Sequence, residues 1–237
     1  MALPLSGNQL KNLTTRLRDG KETPEDLHAL ADVLLYYQRV LAAAHTDVER
    51  LCAAMPHAEP MAPRVKTLKT TLEKLHRQPE LRSLAQIRDL AGMRVVVHGT
   101  RADQDELVRQ IAELCRDDER PVKIIDRRVD PRAGYRAVHL EVRRDRILIE
   151  IQVRTTLQHR WAELFGRAAD KLGRGLRYGE SVQTLSAGET TLFVAIMQNE
   201  ADAIDARERL SEGEYQNVLE SLDSRLDRFA QCLEPLL

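Results

Sequence analysis

Two carboxylates stand in sequence settings where a carboxylate can do chemistry. Glu150 lies between isoleucines in a run that alternates apolar and polar residues, which predicts a place on the polar face of a β-strand. A carboxylate there loses hydration unless a cation, a metal ion or a substrate hydroxyl contacts it. Asp89 precedes an apolar strand, and the small residues Ala91 and Gly92 would let a ligand approach the backbone. Two carboxylates at strand ends can share Mg²⁺ on a phosphate substrate, although each also fits a structural role, facing water or bonding its own turn.

A run of basic residues lies upstream of Asp89. Lys66, Thr70, Lys74 and Arg77 are spaced by three or four residues, so they share one face if the segment is helical. With Arg64, this face would suit a triphosphate. A helix with ordinary solvated lysines has the same pattern.

The motif Gly134-Tyr135-Arg136 is the fourth chemical feature. A tyrosine next to a glycine and an arginine suits stacking on a nucleic-acid base, although tyrosines in protein cores are more common.

Several other active-site patterns do not occur in the sequence. It contains no G-x-x-x-x-G-K-[ST] phosphate loop, no G-x-G-x-x-G after a strand, no G-x-S-x-G nucleophile elbow and no Cys/His spacing for zinc. The three cysteines, Cys52, Cys115 and Cys232, are far apart and odd in number, which predicts reduced thiols in a cytoplasmic protein. No secretory signal and no membrane span are expected, since no stretch approaches 18 apolar residues.

The elements that must position these residues alternate between strand and helix in the middle of the chain. Two alternating runs with a turn at Arg144-Asp145 predict a hairpin that displays His139, Glu150, Gln152 and Arg154 on one face. The expected middle strands are 93–98, 122–128, 136–143 and 146–154; the expected helices are 103–115, capped by Asp103, and a helix to about 171, capped by Thr155 or Thr156.

Helices are expected on both sides of this α/β segment. The expected N-terminal helices are 6–18 and a long one capped by Thr23, and the break at 55–63 shows little periodicity. The long helix has one apolar stripe from Leu27 to Leu51, which fits either a coiled-coil dimer seam or packing on the same chain. The tail is predicted to form a helix over 190–209 and another with an apolar stripe from Tyr215 to Leu233. We therefore expect an α+β fold with a helical segment at 1–60, a core at 61–177 and an acidic helical segment at 178–237.

The net charge of −1 conceals a strong asymmetry. Residues 1–60 carry −2, residues 61–177 carry +9 and residues 178–237 carry −8. The basic middle needs an anionic partner, which could be phosphates, a nucleic acid or the chain's own acidic tail. An acidic tail packed on the core or on a second copy would lower the affinity of the basic face for anions, whereas ordinary helix packing with solvated charges would not.

The ordered set of motifs over residues 60–177 resembles the synthetase domain of the RelA/SpoT family, which makes guanosine tetra- and pentaphosphate. The matching segments are Arg64-Val65-Lys66 with Thr70, Lys74 and Arg77; residues 87–94; residues 134–139; and residues 150–155 with His159 and Trp161-Ala162-Glu163. The resemblance implies a nucleotidyltransferase-like mixed sheet with helices. It also implies transfer of the β,γ-pyrophosphate of ATP to the 3′-hydroxyl of GDP or GTP, with release of AMP.

The resemblance also implies roles for particular residues. Asp89 and Glu150 would hold Mg²⁺, and Glu150 would activate the 3′-hydroxyl. Arg64, Lys66, Thr70, Lys74 and Arg77 would bind ATP. The expected acceptor site consists of Tyr135, stacking on guanine, together with Arg132, His139, Gln152, Arg154 and Ala162.

The acceptor is less well defined than the donor. The family often has asparagine where this chain has Ala133, and the lysine expected two residues earlier appears as Pro131 or Arg132. The resemblance is to a stand-alone small synthetase without the family's hydrolase domain. Some small members are toxins that make adenosine analogues or pyrophosphorylate the 3′ CCA end of tRNA. Those readings would bring tRNA and an antitoxin as partners, and a homo-oligomer and a catalytically silent nucleotide-binding regulator also remain open.

Overall fold

The computed structural model describes residues 3–55, 57–116, 121–178, 186–210, 221, 224–228, 230 and 231. The strands are β1 (Ala58–Val65), β2 (Ala91–Val97), β3 (Lys123–Asp126), β4 (Val138–Arg144) and β5 (Ile147–Thr155). The helices are α1 (Gly7–Arg18), α2 (Pro24–Ala53), α3 (Leu68–Arg77), α4 (Arg101–Leu114), α5 (Thr156–Leu172) and α6 (Ala187–Glu208), with 3₁₀ turns at Leu84–Gln86 and Arg174–Tyr178.

The strands form one mixed sheet in the order β1-β2-β5-β4-β3. Only β2 and β5 run parallel, and every other neighbouring pair is antiparallel. The register places Gly92 of β2 beside Glu150 of β5, and Glu141 of β4 on its other side. Because side chains alternate along a strand, residues paired in this way lie on one face of the sheet. The mixed α+β fold and the hairpin are thereby confirmed.

Apolar residues on the opposite face build the main core. The alternating residues of β4 and β5, such as Leu140, Ile149 and Ile151, are buried together with the inner faces of α1, α2 and α4. Most of the apolar stripe of α2 lies in this core, which confirms packing on the same chain; Leu27 is exposed. A second cluster joins α5 to α6 and includes Trp161, Phe165, Met197 and Leu226.

Capping boxes begin five of the helices. In each box the side chain of the capping residue accepts a hydrogen bond from the backbone N–H of the third helical residue, and the side chain of that residue accepts one from the backbone N–H of the cap. The capping residues are Ser6, Thr23, Thr100, Thr155 and Ser186. The expected cap at Asp103 is wrong, because Thr100 caps α4 and Asp103 is the returning carboxylate. The helix therefore begins at Arg101, two residues before the expected start.

The other departures lie in the segments with weak periodicity. Residues 58–65 form edge strand β1, where the sequence predicted part of a break. Pro60 and Pro63 argued against a strand in the sequence, but proline is tolerated in a strand at the edge of a sheet. The strand crosses the expected domain boundary at residue 60, and α1 and α2 share the core of the sheet. In the tail, Leu226 of the expected stripe is buried, whereas Tyr215, Val218, Leu222, Phe229 and Leu233 lie outside the described residues. None of the described helices is long and apolar enough to cross a membrane.

Candidate active site

Asp89 lies between two lysines at the start of β2. Lys66 Nζ is 3.0 Å from Asp89 Oδ2, and Lys74 Nζ is 2.5 Å from Asp89 Oδ1. Lys66 is brought there by β1, whose last residues pair with the start of β2, and Lys74 by α3. The burial of Asp89 raises its pKa, but Lys66 and Lys74 together lower it by a larger amount, so the pKa of Asp89 lies below its usual value. The carboxylate is therefore ionised at neutral pH.

The remaining expected ATP residues lie on β1 and α3. Thr70 completes the cap of α3 by bonding Thr67, and it is half-buried. Arg64 pairs with Gly92 across β1 and β2 and is exposed. Arg77 is exposed at the end of α3. The structure thus brings Lys66 and Lys74 into contact with Asp89, and leaves Arg64 and Arg77 on the surface around it.

Glu150 closes a ring of five polar side chains on the neighbouring strands. Gln152 Nε2 donates to Glu150 Oε2 at 2.6 Å, and His139 Nδ1 lies 3.1 Å from Glu150 Oε1. Tyr135 Oη is 2.8 Å from His139 Nε2. Arg154 Nη2 completes the ring by donating to Tyr135 Oη at 3.0 Å and to Gln152 Oε1 at 2.8 Å. Two members of the expected acceptor site, His139 and Gln152, therefore bond the expected catalytic glutamate directly, and Tyr135 and Arg154 are linked to it through them.

One arrangement of protons, with His139 neutral, satisfies every contact of the ring around Glu150. Because Tyr135 Oη accepts from Arg154, its own hydrogen is free to donate to His139 Nε2, and His139 Nδ1–H then donates to Glu150. Burial raises the pKa of Glu150, but the interactions with His139 and Gln152 lower it by a larger amount, so the pKa of Glu150 lies below its usual value. Nearby Asp89 acts in the opposite direction. Glu150 is consequently an ionised proton acceptor held in one orientation.

Tyr135 lies in a tight turn formed by residues 132–135. Its N–H donates to the Arg132 carbonyl at 2.9 Å, and Ala133 and Gly134 both have positive φ, at 49° and 87°. Arg132 is exposed at the start of this turn. The Arg154 guanidinium lies over the Tyr135 ring, 5.0 Å from its centroid. A base stacking on Tyr135 would have to use the other face of the ring or displace this cation.

Sequence reasoning missed several charged neighbours of the site. Arg94, two residues after Gly92 on β2, bonds Glu163 of α5 at 2.6 Å, beside half-buried Ala162. Glu141 lies directly opposite Glu150 across the hairpin and is 3.3 Å from Arg88. The alternation of the hairpin could have located Glu141, since it shares the polar face of Glu150. Only the fold could pair Arg94 with a helix 69 residues later.

The oxygen ligands suit a divalent cation that is completed by substrate. Among the described residues, no three His, Cys, Asp or Glu side chains converge to hold a metal ion by themselves. Mg²⁺ at nucleotide sites is held by one or two carboxylates together with phosphate oxygens and water. Asp89 and Glu150 are two carboxylates that could act in this way, and Lys66 and Lys74 balance the charge of Asp89.

The acidic residues of α6 do not contact the expected ATP residues. Asp205 is 2.6 Å from Arg101, Asp202 is 2.6 Å from Arg136, and Glu208 bonds Thr155 and Gln158. These contacts show the described part of the tail packed on the core. The effect of the tail's charge on the anion affinity of the basic face stays a prediction.

Comparison with known proteins identifies the middle of the chain. Residues 63–171 match the family described as the region found in RelA/SpoT proteins. A protein of uncharacterised function from Mycobacterium tuberculosis is 34% identical over 221 residues, covering 92% of this chain and 78% of that protein. A protein from Mycobacterium bovis, likewise uncharacterised, matches to the same extent.

The fold is similar to those of a GTP pyrophosphokinase family protein and of a small alarmone synthetase. A GTP pyrophosphokinase family protein from Streptococcus pneumoniae has a TM-score of 0.58 at 21% identity, covering 86% of this chain and 98% of that one. Small alarmone synthetase 1 from Bacillus subtilis has a TM-score of 0.55 at 21% identity, covering 78% and 96%. The Bacillus protein has also been solved with its product pppGpp, and that structure aligns with a TM-score of 0.55 at 20% identity, covering 73% and 91%.

Proposed function

The chain belongs to the RelA/SpoT family, and on this premise we propose that it is a pyrophosphokinase that transfers the β,γ-pyrophosphate of ATP to the 3′-hydroxyl of GDP or GTP. The observation that carries the proposal is the pair of ionised carboxylates in contrasting settings. Asp89 is held by two lysines, and Glu150 is held by groups that orient it to accept a proton. Phosphoryl-type transfer needs these two functions, charge neutralisation and hydroxyl activation, next to each other.

On the donor side, Lys66 and Lys74 bind the ATP phosphates. Both ammonium groups are already placed by β1 and α3, so they exchange part of their contact with Asp89 for phosphate oxygens. Exposed Arg64 and Arg77 extend the same positive surface toward the nucleotide. Asp89 and Glu150 would hold Mg²⁺, and the ion would supply neutralisation of charge on the transferred group.

On the acceptor side, Glu150 takes the proton of the 3′-hydroxyl. The oxygen then bonds to the β-phosphorus of ATP, the bond from that phosphorus to the oxygen bridging the α-phosphate breaks, and AMP leaves with the bridging oxygen. Gln152 and the His139–Tyr135–Arg154 chain keep both Glu150 oxygens oriented during this step. Tyr135 and Arg154 bind the acceptor base, with Arg132 and Ala162 at the edges of the same site.

Transfer of label from ATP tests the proposal. The protein is incubated with [γ-³²P]ATP, Mg²⁺ and GDP, GTP, ATP or deacylated tRNA in separate reactions, and products are separated chromatographically. We expect label on the guanine nucleotide at its 3′ position, and loss of transfer when Mg²⁺ is chelated. Asp89→Ala should abolish transfer, whereas Glu80→Gln, at an exposed glutamate outside the site, should not.

The same assay separates the competing acceptors. Ala133 stands in the turn next to Tyr135, where its methyl group offers no hydrogen bond to a guanine edge. This observation keeps an adenine nucleotide or the tRNA 3′ end as the second candidate acceptor. Label on tRNA or on an adenine nucleotide would replace the guanine assignment, and no transfer to any acceptor, with nucleotide binding retained, would make the protein a silent regulator.

A further inference from the structure

Helix α6 packs against the turn that carries Tyr135. For brevity, residues 132–136 are called the acceptor loop. A Cβ built on Gly134 would lie 3.0 Å from Trp161 Cζ2, 3.2 Å from Ala201 Cβ and 3.3 Å from Gln198 Cα. The two α6 residues therefore touch the backbone of the loop at a point where no side chain fits. Trp161 Nε1 also donates to the Met197 carbonyl at 2.8 Å, which ties α5 to the same stretch of α6.

Ionic contacts fasten the end of the acceptor loop to α6. Arg136 is 9% exposed; its Nη2 donates to Asp202 at 2.6 Å and its Nη1 to the Gly134 carbonyl at 3.2 Å. Arg136 Nε lies 3.8 Å from Asp205 but has no hydrogen-bond partner among the described residues. A buried guanidinium is costly without charge compensation, so the orientation of Arg136 depends on the two aspartates of α6.

The C-terminal end of α6 is fixed independently. Glu208 accepts hydrogen bonds from Thr155 and from Gln158 Nε2, the latter at 2.7 Å. Thr155 follows Arg154 in the chain and caps α5. Helix α6 thus contacts both the acceptor loop, which carries Tyr135, and the junction of β5 with α5, which carries Arg154. These two side chains bond each other.

We infer that α6 positions the acceptor loop, with Asp202 and Asp205 acting through Arg136 as positioning residues for Tyr135. The expected change in the acceptor KM rests on the proposed function, whereas the expected loosening of the acceptor loop does not. Tyr135 also bonds His139, which in turn contacts Glu150. Displacement of the acceptor loop would therefore move the acceptor relative to the Glu150 carboxylate. Lys66, which directly follows β1, and Lys74 of α3 contact Asp89 and not α6, so we expect ATP binding to be independent of α6.

The test compares two single-charge variants of α6. Asp202 is 66% exposed, so Asp202→Asn removes its charge without opening the core. The matched control is Glu200→Gln, which removes the same charge from a residue that pairs with Arg225 and not with the loop. We expect Asp202→Asn to raise the acceptor KM about 10- to 100-fold, as misplacement of a binding group does, with the ATP KM unchanged. Asp202→Glu should restore most of the loss, and Glu200→Gln should behave as wild type.

Hydrogen exchange supplies a readout that needs no activity. The Tyr135 amide bonds the Arg132 carbonyl, so loosening the loop exposes it to exchange. We expect faster exchange in residues 132–136 of Asp202→Asn, unchanged exchange in α4, and a shift in the fluorescence of Trp161, the single tryptophan of the chain. If the loop loosens but the wild type transfers no label, the positioning role stands and the proposed function fails. If neither loop exchange nor the acceptor KM changes in an active protein, the positioning role is wrong.

Discussion

The buried carboxylate of Glu208 makes the stability of the fold depend on pH. Its side chain is 1% exposed at the end of α6. Burial raises the pKa of Glu208 to about 7, although hydrogen bonds from Thr155 and Gln158 act to lower it. An unfolded glutamate has a pKa near 4.5, so between these two values the folded state binds a proton that the unfolded state has lost.

The sign and size of the effect follow from this difference. Stability falls with rising pH wherever the folded state binds more protons, so the contribution is complete below about pH 4.5 and is lost as the pH rises through about 7. The gap between the two pKa values corresponds to roughly 3 kcal/mol of unfolding free energy. That amount is a large part of the stability of an ordinary domain.

Urea denaturation of the wild type and of Glu208→Gln, at intervals from pH 4.5 to 8.5, measures the contribution. The glutamine amide reproduces the donor and acceptor pattern of a protonated carboxyl group, so we expect equal stabilities near pH 4.5 and a variant more stable by up to about 3 kcal/mol at pH 8. Other titrating groups cancel in the difference. A difference that stays constant across this pH range would refute the reasoning, and Glu80→Gln, at an exposed position, provides the control.

Three further predictions concern the site. Glu150→Gln should lower kcat by about 10²–10⁴ while changing neither KM greatly, because it removes the proton acceptor and keeps the shape; near-wild-type turnover would contradict the assignment. Tyr135→Ala should raise the acceptor KM about 5- to 150-fold through a lost stack, whereas Tyr135→Phe, which removes only the hydroxyl bonded to His139, should act mainly on kcat. An equal rise in the KM for ATP would place Tyr135 in the donor site or the fold. Ala133→Gly should stabilise the protein by up to about 1 kcal/mol in thermal or urea unfolding, because alanine at φ 49° is in a left-handed conformation; a loss of stability would show that the turn carries no such strain.

The hairpin and the capped helices could be predicted because their signals are local. Alternation over 136–154 identified both strands and the shared face of His139, Glu150 and Gln152. The turn was predicted one residue too early, because Arg144 still pairs with Ile147 and the turn residues are Asp145 and Arg146. The shared helical face expected for Lys66 and Lys74 is wrong for Lys66, which lies before α3, although both lysines do contact Asp89. In the strands of the hairpin the local pattern and the tertiary contacts favour the same conformation, so the sequence is sufficient.

The features that escaped prediction depend on residues far apart in the chain. Strand β1 carries Pro60 and Pro63, and only its pairing with β2 makes these residues a strand. Arg136 is an ordinary arginine in the sequence, and its burial depends on Asp202, 66 residues later. The raised pKa of Glu208 likewise results from packing between α6 and α5, which no local spacing encodes.

The ring of polar side chains explains why acceptor binding and hydroxyl activation are expected to be coupled in this chain. In a site where the general base does not contact the acceptor-binding residues, acceptor binding and hydroxyl activation could change independently of each other. Here Tyr135 and Arg154 hold each other, and they are joined through His139 and Gln152 to the two oxygens of Glu150. An acceptor that engages the Tyr135 ring or displaces Arg154 therefore alters the hydrogen bonds that lower the pKa of Glu150. Under the proposed function, the identity of the acceptor would be tied to the basicity of Glu150, which would let the site discriminate between acceptors in kcat as well as in KM.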